Sequence, residues 1–345
     1  MRKILCTVGT SLLTNCRREG GENQEEFFLL SFIEKKGEAL ASAETNSLSR
    51  ILEPGDQIVF LYSQTREGKI CADTLQSYYE KKGVKSRIKE IDNLSYAHST
   101  FATRGLKSLI DTLIEEIRLS RRQDIMPVIN ATGGFKAEIA YATLVGLIFK
   151  VPVYYIHEVF QDVIAMPSLP VDWDPSLFVE YGDFFNWISS EFRRKEKVAR
   201  RLKELPGEIN LFLEEDEEGY ITLSPAGTVY YEAFCDLQRE ADKVMISDRA
   251  LAYYKRLDST VQQTFRRLLK RLAIEQVRKS YSRRVDTSDC LDYPFSRGTK
   301  ERIFFYDDGE QVYICELARH GDNYEELLQK GVKRENYRNF EEMKL

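Results

Sequence analysis

The stretch Asn130-Ala-Thr-Gly-Gly-Phe-Lys136 holds the residues best suited to chemistry with an anion. The apolar run Met126-Pro-Val-Ile129 precedes it, and residues 136–150 follow with the pattern of a helix. A buried strand that turns through Thr-Gly-Gly into a helix leaves unpaired backbone N–H groups where the helix dipole favours negative charge. Gly133 and Gly134 allow positive φ and close ligand approach, Asn130 and Thr132 can hydrogen-bond, and Lys136 adds a cation. A lone Gly-Gly reads better as a tight turn with no ligand. Here a second loop of the same kind shifts the balance: residues 2–8 read as a strand that opens into Gly9-Thr10-Ser11, with Thr14 and Asn15 beyond. Two small polar loops at strand C-termini are what an open α/β sheet presents at its switch point. Neither loop has the glycine spacing of a dinucleotide fingerprint or a P-loop, so a phosphate would be held by a different geometry.

The elements that must position these loops alternate strand and helix over the first 170 or so residues, the pattern of a mostly parallel sheet covered on both faces. Strands are expected at 3–8, 57–62, 84–91, 127–130 and 152–157, and helices at 69–82, 101–119 and 136–149. Residues 153–158 and 162–166 read as a closing hairpin, and Pro167, Pro170 and Pro175 mark a boundary. A middle unit follows: a basic helix over 187–205, a short hairpin around the acidic run 214–218, and a helix opened by Ser224-Pro225. Helix, hairpin and helix look like a winged helix. The acidic hairpin would repel phosphate, so this unit reads as an interdomain spacer rather than a DNA reader. In the last hundred residues Val261, Phe265, Leu268 and Leu272 share one helical face, and residues 301–306 and 311–317 flank Asp307-Asp308-Gly309 as a hairpin.

At 345 residues the chain is long enough for two or three domains, and 43% hydrophobic with 30% charged residues describes a globular protein. No apolar run has the length of a membrane span, and Met1-Arg2-Lys3 leads into a strand rather than a signal peptide, so a cytoplasmic location is expected. The six cysteines form no CxxC pair and, with three scattered histidines, offer no zinc spacing; no metal is expected. The net charge of −5 hides an asymmetry, because residues 251–300 carry twelve Lys/Arg against five Asp/Glu.

The N-terminal strand with Gly9-Thr10-Ser11 and the 130–136 loop together resemble the CARF domain, the cyclic-oligoadenylate sensor of type III CRISPR defence. The resemblance implies a Rossmann-like sensor over 1–172 that binds cyclic oligoadenylate, cyclic tetra-adenylate being favoured, as its activator and with no other cofactor. The implied ligand-binding residues are Gly9, Thr10, Ser11, Asn15, Ser63, Gln64, Asn130, Thr132, Gly133, Gly134, Phe135 and Lys136. Because such a ring has internal rotational symmetry, a homodimer with the ligand on its two-fold axis is expected. Slow cleavage of the ligand in the same pocket, with Thr10 or Ser11 positioning a 2′-OH, is a weaker expectation.

The segment from Lys300 to Tyr324 resembles the end of a RelE-type mRNA interferase, in which one Arg opens a strand, a second closes the next, and a Tyr lies shortly beyond. Arg302, Arg319, His320 and Tyr324 stand in those positions, and Arg283, Arg284, Arg297 and Lys300 are the candidates for the family's further cations. This implies an α+β RelE-like ribonuclease domain over 246–345, a winged-helix-like linker over 173–245, and the ribosome and mRNA as partners. The chemistry stands on its own terms. RNA cleavage without metal uses the 2′-OH as nucleophile, fixed cations stabilise the phosphorane, and a proton must leave one oxygen and reach another. Imidazole is the side-chain type suited to proton transfer, so His320 is assigned general acid or base, while Tyr324 serves a base, a proton or the core. His98 and His157 are left structural or ligand-contacting. The rival reading is a transcription regulator in which a CARF-like domain controls a DNA-binding winged helix; the cations around Arg319-His320 tell against an inert tail.

Overall fold

Ile4, Cys6 and Val8 face one way along the first strand and Leu5 and Thr7 the other, and all are buried, as a strand covered on both faces requires. In the computed structural model, which describes residues 1–20, 25–95, 99–156, 162–169, 172–294 and 299–345, this strand is β1 (Arg2–Val8). The other strands of its sheet are β2 (Gln57–Ser63), β3 (Lys85–Ile91), β4 (Met126–Asn130), β5 (Val153–Ile156) and β6 (Val163–Met166). They run in the order β3-β2-β1-β4-β5-β6, with β1 to β5 parallel and β6 antiparallel to β5. Chain order reverses between β1 and β4, so the switch point lies where the two glycine loops leave the sheet. The expected strands and closing hairpin are present; His157 and the hairpin connector lie outside the described residues.

Helices α1 (Ser11–Arg18), α2 (Glu26–Lys36), α3 (Glu38–Ala41), α4 (Ala43–Ile51) and α5 (Arg66–Lys81) supply Leu12, Leu29, Ile33, Leu48, Cys71 and Leu75 to one face of the sheet. Helices α6 (Gly105–Arg122) and α7 (Lys136–Ile148) cover the other. In α6 the stripe Leu106, Leu109, Ile110, Leu113 and Ile117 follows helical spacing and is buried throughout.

Two compact units divide the chain: Met1–Trp173 with Trp187–Ala233, and Asp174–Asn186 with Phe234–Leu345. After α8 (Ser176–Glu180), the single basic helix expected over 187–205 is replaced by α9 (Gly182–Ser189), a two-residue strand β7 (Arg193–Arg194) and α10 (Lys195–Leu202). The cause is local. The Trp187 carbonyl accepts hydrogen bonds from Arg193 Nε and Nη2 (3.3 and 3.0 Å), which closes α9, and Arg193 and Arg201 cover the Trp187 ring at 4.7 and 4.4 Å. Strands β8 (Leu213–Glu215) and β9 (Tyr220–Leu223) form the acidic hairpin, β9 pairs with β7, and the hairpin leads into α11 (Pro225–Arg239).

After α11, the second unit continues with a strand that the sequence reading missed, β10 (Lys243–Ser247). Helices α12 (Asp248–Arg256), α13 (Ser259–Leu272) and α14 (Glu275–Tyr281) follow, then β11 (Leu291–Tyr293), β12 (Glu301–Asp307), β13 (Gln311–Arg319), α15 (Tyr324–Lys330) and β14 (Phe340–Glu342). The sheet order is β11-β12-β13-β10-β14, with β10 parallel to β13. Val261, Phe265, Leu268 and Leu272 of α13 pack on this sheet as their spacing requires. Among the described residues no helix is long and apolar enough to cross a membrane.

One ion pair ties the start of β1 to the turn before β2. Arg2 Nη2 and Nε donate to Asp56 Oδ2 and Oδ1 (2.6 and 3.2 Å), and the Glu53 N–H donates to Oδ2 at 2.9 Å. Burial would raise the Asp56 pKa, but the Arg2 and backbone hydrogen bonds outweigh it and hold the carboxyl below its ordinary value. A depressed folded pKa stabilises above the unfolded value and is lost as pH falls through the folded one. Asp56→Asn should therefore cost about 3 kcal/mol at neutral pH, and the gap between variant and native protein should close as pH drops below about 4; urea unfolding at several pH values measures both.

Candidate functional site

At the C-terminal ends of β1 and β4, where Cys6 is paired with Asn130, the two glycine loops meet backbone to backbone. A Cβ on Gly9 would stand 2.7 Å from the Gly134 nitrogen, and one on Gly133 would stand 2.5 Å from the Thr7 carbonyl oxygen and 2.1 Å from Glu44 Oε1. Gly134 has φ +95°, a conformation that disfavours a side chain. The Thr7 hydroxyl donates to the Gly133 carbonyl at 2.6 Å and locks one loop to the other strand.

Much of the polar inventory expected to face a ligand is committed to this framework. Glu44, on the first turn of α4 and fully buried, accepts the Gly9 N–H (2.8 Å) and the Ser11 hydroxyl (3.0 Å), and Ser11 accepts the Ala43 N–H. The Asn130 amide is also fully buried; it donates to Ser47 (2.7 Å) and Cys6 (3.3 Å) and accepts from the Thr132 hydroxyl (2.7 Å). Thr132 in turn accepts the Ile156 N–H. Asn15 donates to the Ala41 carbonyl. Asn130 and Thr132 are therefore turned into the framework, while Asn15 is half-buried. Thr10, Phe135 and Lys136 remain exposed around the loops, with Gly9, Ser11 and Gly134 half-buried between them.

Glu44 and Glu138, the latter buried in the first turn of α7, were not anticipated. The Ser42 to Thr45 capping box marks the start of α4, but nothing in the sequence signals that the residue inside it turns inward. Ser63 is buried against the Thr65 hydroxyl, whereas Gln64 lines a separate open cleft of about 1030 Å³ with Arg66, Lys69, Asp73 and Glu90.

In the second unit, the candidate residues gather at the open end of the β12–β13 hairpin but divide between its faces. Cross-strand partners share a face and neighbours along a strand alternate. Glu301 pairs with Arg319 and Arg302 with Ala318, so Arg302 and Arg319 leave on opposite faces, against the expectation that both reach one phosphate. Arg319 Nε donates to Glu301 Oε1 at 3.1 Å, beside Tyr253, whose hydroxyl donates to Asp322 (2.7 Å). Burial opposes ionisation of Glu301, but Thr299, a backbone N–H and Arg319 together hold its pKa below the ordinary value.

On the other face, Arg302 lies over the Tyr324 ring at 5.7 Å, and its Nη1 donates to the Thr299 and Glu301 carbonyls. The His320 ring sits edge-on to the same tyrosine with centroids 4.2 Å apart, and its Nδ1 is 3.0 Å from Glu325 Oε1. That contact holds the Glu325 pKa below its usual range. Tyr324 itself is 1% exposed, so of the roles open to it the structure gives it packing. Arg283 joins this face through the Tyr324 hydroxyl (2.6 Å). Lys300 and Arg284 are exposed, Lys300 accepting the His320 N–H on its carbonyl; Arg297 lies outside the described residues, as does His98. Among the described residues no group of His, Cys, Asp and Glu is arranged to hold a metal ion.

Comparison with known proteins adds one family likeness. Residues 39–169, well under half of the chain, match a family described as CRISPR-associated protein (Cas_APE2256). The match takes in Glu44 and the 130–136 loop and starts after the Gly9 loop. Among solved structures, protein VC1899 from Vibrio cholerae is similar at 11% identity over 69% of each chain, with a TM-score of 0.30. Can2 from Sulfobacillus thermosulfidooxidans, solved in complex with cyclic tetra-adenylate, is similar at 12% identity over 91% of this chain and 78% of its own, with a TM-score of 0.26. At TM-scores this low, neither structural likeness carries an argument. Over residues 39–169 the chain is similar to a CRISPR-associated family.

Proposed function

We propose that this protein is a nucleotide-gated ribonuclease of CRISPR defence: a cyclic oligoadenylate binds at the switch point of the first unit, and the open end of the β12–β13 hairpin cuts mRNA. The observation that carries the sensor half is the backbone contact of the two glycine loops at the C-terminal ends of adjacent central strands. Loops packed this closely leave backbone at the surface for phosphate to approach, with Lys136 as the cation and Phe135, 52% exposed, as an apolar face for a base. The CRISPR-associated likeness over residues 39–169 supports that setting. A ring with two-fold symmetry would be held by two copies of each loop, which makes the active form a homodimer. The ribosome is the proposed site of action on mRNA.

In the cutting half, the RNA 2′-oxygen attacks the neighbouring phosphorus, the bond from phosphorus to the 5′-oxygen breaks, and a 2′,3′-cyclic phosphate and a 5′-hydroxyl result. Arg302, with Arg283 behind it, supplies positive charge to the phosphorane, and His320 transfers a proton on the same face. The Glu325 carboxylate against Nδ1 orients the imidazole and leaves Nε2 as its free edge.

Replacing Lys136 by Ala should weaken binding of cyclic tetra-adenylate by about 1.5–3 kcal/mol, the worth of one charge-assisted contact. Calorimetry on the folded variant measures this; unchanged affinity would make Lys136 a solvated side chain and move the site elsewhere.

Activated protein incubated with translating ribosomes should yield 2′,3′-cyclic phosphate and 5′-hydroxyl ends. Arg302→Ala should lower the rate by about 10²–10³-fold, with a smaller effect for Arg319→Ala on the opposite face. Products ending in 3′-hydroxyls and 5′-phosphates would overturn this mechanism.

A further inference from the structure

Beneath the exposed cations of the second unit lies a buried network in which one member has no packing explanation. Asp292, in the middle of β11, is 0% exposed. Its Oδ2 accepts the Tyr324 hydroxyl at 2.7 Å and Arg283 Nε at 2.9 Å, and Arg283 Nη2 donates to the same hydroxyl at 2.6 Å. The backbones of Arg283 and Asp292 also exchange both hydrogen bonds at 3.0 Å, an isolated bridge that sets the two side chains side by side. Asp292 Oδ1 is buried with no hydrogen-bond partner among the described residues. A buried carboxylate with one oxygen unpaired among the described residues is expensive, and an apolar side chain of similar size would pack there more cheaply. Stability alone does not account for it.

What the network holds is the Tyr324 ring. One atom shell further out, that ring meets the His320 imidazole at 4.2 Å and the Arg302 guanidinium at 5.7 Å. A phenol whose hydroxyl is gripped from two sides cannot swing, so groups resting on its faces are held as well. We propose that Asp292 is a positioning residue: by anchoring the Tyr324 hydroxyl it fixes the ring that places His320 and Arg302 at the open end of the β12–β13 hairpin. This rests on the ribonuclease reading for its consequence in rate, while the positioning itself is independent of any substrate. Arg283 is partly exposed, so it can turn to solvent when Asp292 is neutralised; Asp292→Asn still breaks a buried pair and costs stability, so the milder Tyr324→Phe carries the test if that variant does not fold.

The test uses the full chain with its histidines isotopically labelled; there are three, so the His320 ring resonances can be assigned by one further substitution. Asp292→Asn removes the charge, and Tyr324→Phe, the milder change, removes only the hydroxyl. In both variants the His320 resonances should shift, because the aromatic ring beside the imidazole moves, while those of the other two histidines stay. Single-turnover cleavage on ribosomes should fall about 10- to 100-fold with KM unchanged, the usual cost of a misplaced reacting group. Native His320 resonances in the folded variants, or an unchanged rate in a protein that does cleave, would overturn the positioning role. Shifted resonances in a protein that cuts no RNA even in native form would leave the positioning intact and refute the ribonuclease reading instead.

Discussion

The first unit is organised around a distance that only glycine tolerates. Gly9 and Gly134 bring the backbones after β1 and β4 together so closely that a methyl group on Gly9 would stand 2.7 Å from the Gly134 nitrogen. Adjacent parallel strands are about 4.8 Å apart, so loops leaving them in opposite directions ordinarily diverge. Here the Thr7 hydroxyl holds them in contact, and the Glu44 carboxylate fixes the Gly9 loop. Glu44 also explains why Gly133 must lack a side chain, since a Cβ would meet its Oε1 at 2.1 Å. The crevice is thus backed by a buried anion, and the groups left to meet a ligand are the exposed Thr10, Phe135 and Lys136.

The second unit depends on the two-residue period of its hairpin. Glu301 opposite Arg319 and Arg302 opposite Ala318 assign each cation to a face before any side-chain contact is considered. Each face then completes itself with acids: Glu301 and Asp322 near Arg319, Glu325 and Asp292 around His320, Arg283 and Tyr324. Cations so paired are held in fixed orientations, which is the preorganisation that electrostatic stabilisation of a transition state needs.

Regular elements were legible where periodicity was strong. The alternation in β1, the α6 stripe and the hairpin around Asp308-Gly309 all stand where spacing put them, because burial on one or both faces leaves its mark on residue order. Where a specific contact decided, the pattern misled. The basic run over 187–205 has helical composition throughout, and it breaks because Arg193 folds back onto the Trp187 carbonyl and ring. Strand β10 is too short to announce itself and exists because β13 and β14 offer partners on both sides.

The two halves of the candidate chemistry differ in the same way. The sequence by itself determined that two glycine loops would leave a parallel sheet at strand ends, since glycine pairs, small polar residues and flanking apolar runs are local requirements of a strand-to-helix turn. It likewise determined that cations and one imidazole would cluster near residues 300–324. Only the tertiary structure decided which of those groups face outward. Asn130 and Thr132 turned inward because Ser47, Cys6 and Ile156, remote or modestly separated in sequence, satisfy them. Tyr324 became buried because Asp292, from strand β11, accepts the hydrogen bond of its hydroxyl. A polar residue's role depends on whether a partner reaches it before solvent does, and partners brought from elsewhere in the chain leave no trace in local spacing.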